Sequence, residues 1–146
     1  LDTLNLAIKL NPNNSQYYYT KSTVHKAFGD LDSAIYVLDE LYLVDSLQIS
    51  AVSLSGYYYE FIGDKVRSDS LYKLALKKYQ LYDSIIEYEF GDLEDWAYLN
   101  TFVHGKDSTL NVIIGTMTLS DSWRKELENR ILKFDREIYI QDIGNY

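Results

Sequence analysis

The side chains that could do chemistry in this chain are few, and their spacing matches no catalytic or metal-binding pattern. The chain has no cysteine and only two histidines, His25 and His104. Neither histidine has a cysteine, a second histidine or a carboxylate at metal-ligand spacing, so the sequence predicts no zinc site. We expect His25 to pack between helices, and we expect His104 to close a helix, where its charge suits the helix dipole.

An acidic stretch is the second group that could bind a ligand. Its carboxylates are Glu87, Glu89, Asp92, Glu94 and Asp95. They could gather a calcium ion, but the stretch lacks the D-x-[DN]-x-[DN]-G pattern that wraps oxygens around calcium. We favour a solvated loop from Glu89 to Asp92, with Asp92 as the cap of the next helix.

The nucleophile and phosphate-loop signatures of common enzymes are also missing. Serines are numerous, but the chain contains no G-x-S-x-G, no G-x-x-x-x-G-K-[ST] and no G-x-G-x-x-G sequence. We therefore predict that the protein is not an enzyme, has no cofactor and works by holding another molecule. A hydrolase or carbohydrate-acting enzyme is the lesser alternative, because spacing alone cannot reveal paired carboxylates for glycoside cleavage.

Charge and hydropathy narrow the choice of partner. Fourteen Lys and Arg against 22 Asp and Glu give a formal net charge of −8, which opposes binding to nucleic acid and to anionic lipid surfaces. No apolar run approaches the ~18 residues of a membrane span. Because residue 1 lies inside a helical pattern, we expect that Leu1 is not the native start; a removed leader and an omitted first helix are both open.

A repeat of 34 residues is the strongest pattern in the chain, since Phe28-Gly29-Asp30 recurs as Ile62-Gly63-Asp64. Each Gly-Asp predicts a hinge in which glycine ends one helix in the left-handed conformation and aspartate caps the next. The same offset aligns hydrophobic, small and turn positions: Leu4 with Leu38 and Tyr72, Ala7 with Leu41 and Ala75, Ala34 with Ser68, Pro12 with Ser46, Ser22 with Gly56, and His25 with Tyr59.

Apolar residues recur at spacings of three and four within each unit, as amphipathic helices require and strands do not. Two such stripes run from Leu31 to Tyr42 and from Leu71 to Ile86. A period of this length is typical of helical solenoids. The sequence therefore predicts an all-α fold of antiparallel helix pairs.

With these features the chain resembles the tetratricopeptide repeat family, whose 34-residue unit has glycine between its two helices and proline after the second. The resemblance implies one domain, a right-handed α-α superhelix of about seven helices. The chain departs from the family pattern at Tyr18 and Val52, where tryptophan is usual, and at Ser46 and Gln80, where proline is usual. A weaker resemblance to Bacteroides-like envelope lipoproteins with such repeats favours the bacterial envelope or periplasm over the cytoplasm.

The repeat divides the chain into six segments. They are the second helix of a truncated repeat (1–14), a repeat (15–48), a repeat with a lengthened second helix (49–90), a divergent repeat (91–118), a capping helix (119–136) and a tail (137–146). The lengthening follows because Gly105 comes 42 residues after Gly63, which adds about two helical turns and extends that helix to around Tyr88.

The C-terminal third has weaker signals. We predict that Asp107 or Ser108 caps a short helix and that Ser120 or Asp121 caps a last, polar-faced helix that closes the solenoid. From Ile138 onward the chain should be a loose tail.

The family's register assigns seven side chains to the concave groove, while Tyr18 and Tyr59 are packing positions. The groove residues are Tyr19, Thr23 and Lys26 in one repeat, and Ser53, Tyr57, Glu60 and Phe61 in the next. Aromatic side chains there could grip a peptide or helix at little entropy cost, or they could equally pack on neighbouring helices. The lysine and asparagine pattern with which some family members clamp a C-terminal carboxylate is missing.

The leading hypothesis is therefore a scaffold or adaptor that binds a peptide or a partner protein in the concave groove. The alternative is an envelope lipoprotein that assists assembly or regulation of a membrane complex. The gene sequence upstream of Leu1 would separate the two, because a lipoprotein needs an apolar leader that ends in a cysteine.

Overall fold

The computed structural model describes residues 1–82, 90–115 and 119–145 of the 146-residue chain. The secondary structure of these residues is entirely helical, which confirms the all-α prediction. The helices are α1 (Asp2–Leu10), α2 (Ser15–Ala27), α3 (Leu31–Val44), α4 (Ile49–Phe61), α5 (Lys65–Tyr82), α6 (Phe90–His104), α7 (Lys106–Gly115), α8 (Asp121–Lys133) and α9 (Arg136–Asn145). These nine helices of the described residues exceed the expected seven.

The Gly-Asp hinges have the predicted conformation. Gly29 and Gly63 have φ values of 75° and 87°, where L side chains are disfavoured. The Asp30 carboxylate accepts a hydrogen bond from the backbone N–H of Ser33 at 3.1 Å, and Asp64 accepts one from Arg67 at 3.1 Å. Each aspartate thus satisfies a free amide in the first turn of its helix.

Two predicted caps in the C-terminal half are wrong. Helix α6 already begins at Phe90, so Asp92 lies in its first turn and does not cap it. Helix α7 begins at Lys106, directly after Gly105, whose φ is 87°. A left-handed glycine there lets α7 follow α6 without a linker, so neither Asp107 nor Ser108 occupies the capping position.

Other predictions for this half have mixed outcomes. Ser120 caps α8 as predicted, since its hydroxyl accepts a hydrogen bond from the N–H of Trp123 at 3.3 Å. The tail prediction is wrong, because residues 136–145 form α9. The predicted extension of α5 to around Tyr88, and Glu87 and Glu89 of the acidic stretch, lie outside the described residues.

Helices that follow one another in the chain pack together from α1 to α8, and α8 also contacts α6. Helix α9 departs from this order, because it returns to pack on α4. Three apolar clusters result: one among α2, α3 and α4, one among α4, α5, α6 and α9, and one among α6, α7 and α8. Helix α4 therefore lies between the N-terminal pair and the C-terminal helices.

Small side chains allow close approach within the two repeat-like pairs. Ser22 is fully buried between α2 and α3, and its hydroxyl donates to the backbone oxygen of Ala34 at 3.0 Å. At the equivalent position of the next pair, Gly56 lies against the ring of Tyr72. The alignment of Ser22 with Gly56 in the sequence thus marks a position where two helices cross.

Replacing Gly56 by alanine should lower the free energy of unfolding by roughly 1–3 kcal/mol, the cost of overpacking. The new methyl carbon would lie 2.7 Å and 2.9 Å from two carbons of the Tyr72 ring, which is fully buried and cannot move aside. Urea denaturation followed by far-UV circular dichroism measures the change.

Gly91→Ala is the matched control. Gly91 lies in the first turn of α6, and among the described residues outside its own turn no atom lies within 4 Å of the place that an alanine methyl group would occupy. Alanine should therefore leave stability unchanged or raise it slightly. Equal stability of the two variants would contradict the close crossing at Gly56.

Candidate partner-binding groove

The predicted groove residues lie on α2 and α4, the first helices of the two repeat-like pairs. Helix α2 carries Tyr19, Thr23 and Lys26, and helix α4 carries Ser53, Tyr57, Glu60 and Phe61. Spacings of three and four place each set on one face of its helix. The surface they form is not an open groove, because side chains of α6 and α9 cover most of it.

Asp95 on α6 is the polar centre of this region. Its carboxylate accepts hydrogen bonds from the hydroxyls of Ser53 at 2.9 Å, Tyr57 at 3.0 Å and Tyr79 at 2.9 Å. Three donors from α4 and α5 thus satisfy one carboxylate that would be costly to leave unpaired. Ser53 and Tyr57 are only 1% and 3% exposed, so these two predicted groove residues belong to the interior.

The surroundings of Asp95 change the pKa of several groups. Burial raises the pKa of the Asp95 carboxyl, the hydroxyl hydrogen bonds oppose the rise and the charge of Asp92 adds to it. Burial and then the charge of Asp95 raise the pKa of Tyr57 and Tyr79 well above the usual value, and raise that of Tyr19 to about 12. The tyrosines therefore stay protonated and able to donate near neutral pH.

Glu60 on α4 forms the main charged contact with α9. The guanidinium of Arg136 donates to its two carboxylate oxygens at 2.6 Å and 3.0 Å, and the Tyr72 hydroxyl donates at 2.7 Å. Arg136 also donates to the backbone oxygen of Phe102 and lies over that ring, 4.6 Å from its centroid. Burial opposes the charge of Arg136, but Glu60, together with Tyr72 and Asp69, outweighs burial and raises the pKa of the guanidinium.

The rest of α9 follows the same surface. The Tyr139 ring lies edge-on to Tyr57, with ring centroids 5.3 Å apart. At the end of the helix, the Lys26 ammonium donates to the backbone oxygen of Ile143 at 2.9 Å, and Gly144 lies so close to Phe61 that a methyl group there would overlap the ring. Lys26, Glu60 and Phe61 are therefore all in contact with α9.

The described contacts join neither Tyr19 nor Thr23 to α9, and of these two Tyr19 is half-buried against the cluster of α2, α3 and α4. Thr23 is exposed, and its hydroxyl donates to the backbone oxygen of Tyr19. The Tyr19 hydroxyl donates to the amide oxygen of Gln48 at 3.3 Å. The groove is thus filled along α4 and at Lys26, and it is open on α2 at Thr23, a division that the register of the repeat does not predict.

Neither histidine joins this region. His25 is partly buried, with its Nδ1 3.5 Å from the Asp30 carboxylate, and His104 is the last residue of α6, as predicted. In the residues that the structure describes, no three histidines or carboxylates lie together as metal ligands would. Among the same residues, no helix is both long and apolar enough to cross a membrane.

Sequence reasoning missed two of the residues that organise the groove. It placed Asp95 in a solvated acidic stretch and gave Arg136 no role. Asp95 lies three and four residues before Tyr98 and Leu99, and Arg136 lies three and four residues before Tyr139 and Ile140, but these spacings do not identify what either charged group contacts. Glu60, which pairs with Arg136, lies 76 residues away from it. The spacing of residues along the chain does not encode such a contact.

Comparison with known proteins gives no indication of the function of this chain. No protein-family model, curated protein or solved structure matches the chain.

Asp95→Asn should remove part of the pH dependence of stability. Because burial raises the pKa of Asp95 in the folded chain, the stabilising effect of its bound proton is present at low pH and is lost as pH rises through the raised pKa. Asparagine keeps an acceptor oxygen but cannot ionise. The difference in free energy of unfolding, variant minus parent, should therefore increase as pH rises above ~4, the usual pKa of an aspartate.

Urea denaturation at a series of pH values measures this difference. Asp142→Asn, at an exposed carboxylate on the outer side of α9, is the control and should give a smaller change over the same range. If Asp95→Asn follows the parent at every pH, the carboxyl is not perturbed as described.

Proposed function

We propose that this chain is a protein-interaction scaffold of the tetratricopeptide type, which holds a helical or extended segment of a partner protein on the face formed by α2 and α4. The observation that carries the proposal is that this face already holds a helix. Helix α9 lies on it through the ion pair of Arg136 with Glu60, the ring contact of Tyr139 with Tyr57 and the hydrogen bond from Lys26.

The helix pairs support the type of scaffold proposed. The 34-residue offset, the left-handed Gly29 and Gly63 and the small residues at the crossings all repeat from α2 and α3 to α4 and α5. Stacked pairs of this kind place their first helices side by side. A face built from several helices can spread the binding of a partner over several side chains.

The open end at α2 is where an incoming partner would first bind. Tyr19 offers an aromatic ring and a hydroxyl that donates near neutral pH, and Thr23 is exposed one turn further on. A tyrosine contributes a large contact area at little cost in side-chain entropy. The net charge of −8 and the carboxylate of Asp95 near Tyr19 favour a partner segment that is basic or neutral.

Site-specific photo-crosslinking tests the proposal. A benzophenone amino acid at Thr23 should crosslink one specific partner in extracts of the native cells. The same group at Tyr36, which is 63% exposed on α3, is the control for nonspecific capture. Partners that crosslink equally from both positions would contradict the concave face as the binding surface.

The purified partner then permits a quantitative test. The double variant Tyr19→Ala, Thr23→Arg should weaken its binding by at least ~10-fold, since it removes an aromatic contact and obstructs the open end, while far-UV circular dichroism stays unchanged. Tyr57 is unsuitable for such a test, because its removal would also leave Asp95 without one of its donors. Unchanged affinity, measured by isothermal titration calorimetry, would exclude this end of the groove.

A further inference from the structure

We propose that the α4 side of the groove recognises a helix of defined chemistry, and that α9 is the chain's own exchangeable copy of that helix. The pattern is an arginine, an aromatic residue three positions later, and isoleucine followed by glycine at seven and eight positions. In α9 these are Arg136, Tyr139, Ile143 and Gly144. This inference rests on the proposed function and extends it by naming the chemistry of the partner.

A cation is the first requirement of the groove. Glu60 is partly buried, and apart from the two bonds with Arg136 the described contacts give its carboxylate one donor, the Tyr72 hydroxyl. Asp69 adds a second carboxylate, 3.9 Å from the guanidinium. A planar guanidinium meets a carboxylate with two parallel hydrogen bonds, which a lysine ammonium cannot do. The position therefore selects arginine.

An aromatic ring is the second requirement. Tyr139 lies among four rings, with centroid distances of 4.9 Å to Tyr98, 5.3 Å to Tyr57, 5.3 Å to Phe134 and 6.0 Å to Phe102. Edge-on and tilted ring pairs at these distances stabilise beyond the area they bury. An aliphatic side chain would bury less surface here and would lose these ring contacts.

The end of the helix is the third requirement. Lys26 donates to the oxygen of Ile143, one of the last four carbonyls of α9, which have no partner within the helix. A cation at this end also complements the helix dipole. At Gly144 the ring of Phe61 leaves no room for a methyl group, so the groove accepts only glycine where the bound helix ends.

The contacts of α9 are with the groove more than with the helix that precedes it, as an exchangeable helix requires. It packs on α4 and has few contacts with α8, although α8 directly precedes it in the chain. The apolar cluster that joins α6, α7 and α8 contains no residue of α9: its buried members are Leu93, Ala97, Ile113, Leu127 and Ile131. Release of α9 therefore leaves the core of α6, α7 and α8 in place and removes Ile140 from the core that α9 shares with α4, α5 and α6. A partner helix of the same pattern can take its place and restore that core.

Gly144→Leu in the full chain tests the exchange. The leucine side chain cannot fit against Phe61, so the substitution displaces α9 from the groove without altering any groove residue. The probe is a fluorescein-labelled peptide with the sequence of residues 135–145. We expect the peptide to bind the Gly144→Leu protein at least ~10-fold more tightly than the parent protein, in which the covalently attached α9 competes at high effective concentration. Fluorescence anisotropy gives the affinities.

Three controls define the outcome. Trypsin cleavage after Arg136, read by mass spectrometry, should be faster in Gly144→Leu than in the parent, while far-UV circular dichroism keeps most of its helical signal. A peptide that itself carries the Gly144→Leu change should not bind. Adding Glu60→Gln to the protein, which keeps a partner for Tyr72 but removes the charge, should weaken binding of the parent-sequence peptide by at least ~10-fold.

Each contrary result overturns the inference. Resistance to trypsin equal to that of the parent would mean that the groove accommodates a side chain at position 144 and that α9 is not displaced. Release of α9 without peptide binding would mean that the groove does not recognise this pattern. Loss of the whole fold in both Gly144→Leu and the milder Gly144→Ala would make α9 a permanent part of the core. Crosslinking from Thr23 is independent of all three results, so the proposed function can survive where this inference fails.

Discussion

Helix α4 is enclosed by α3, α5, α6 and α9, and its polar side chains must therefore find partners inside the protein. Ser53 and Tyr57 reach Asp95, and Glu60 reaches Arg136 and Tyr72. An unpaired buried polar group costs as much as or more than a hydrogen bond contributes. The positions of α6 and α9 follow from this requirement, because each supplies the group that a side chain of α4 lacks.

The features that the sequence predicts well are local. A left-handed glycine, an aspartate cap and apolar spacing within one helix act over a few residues, so Gly29, Asp30, Gly63 and Asp64 could be interpreted correctly one after another. The crossing at Gly56 was also predictable, because the 34-residue offset aligns it with Ser22. The prediction that Asp107 or Ser108 caps α7 is wrong for a local reason as well. The left-handed Gly105 lets α7 begin at Lys106, before either residue.

The helices that carry the predicted groove residues follow from the sequence, and the helices that cover those residues do not. The register places the predicted groove residues on one face of α2 and one face of α4. What covers these faces depends on contacts such as that between Glu60 and Arg136, which lie 76 residues apart in the sequence. Helix α9 has only ten residues, fewer than the roughly 12–15 that an isolated helix needs to be stable. Its formation therefore depends on the surface that receives it, and the sequence of the tail alone favours no structure.

The hydrogen bond from Lys26 to the backbone of Ile143 spans 117 residues. In an open array of helix pairs each unit touches only its neighbours, and the ends can fray without disturbing the middle. Here the last described helix reaches back past α4 to the first complete pair and closes the array into a loop. Opening of α2 then breaks a contact of α9, and opening of α9 breaks one of α2, so the domain should unfold more cooperatively than separate helix pairs would.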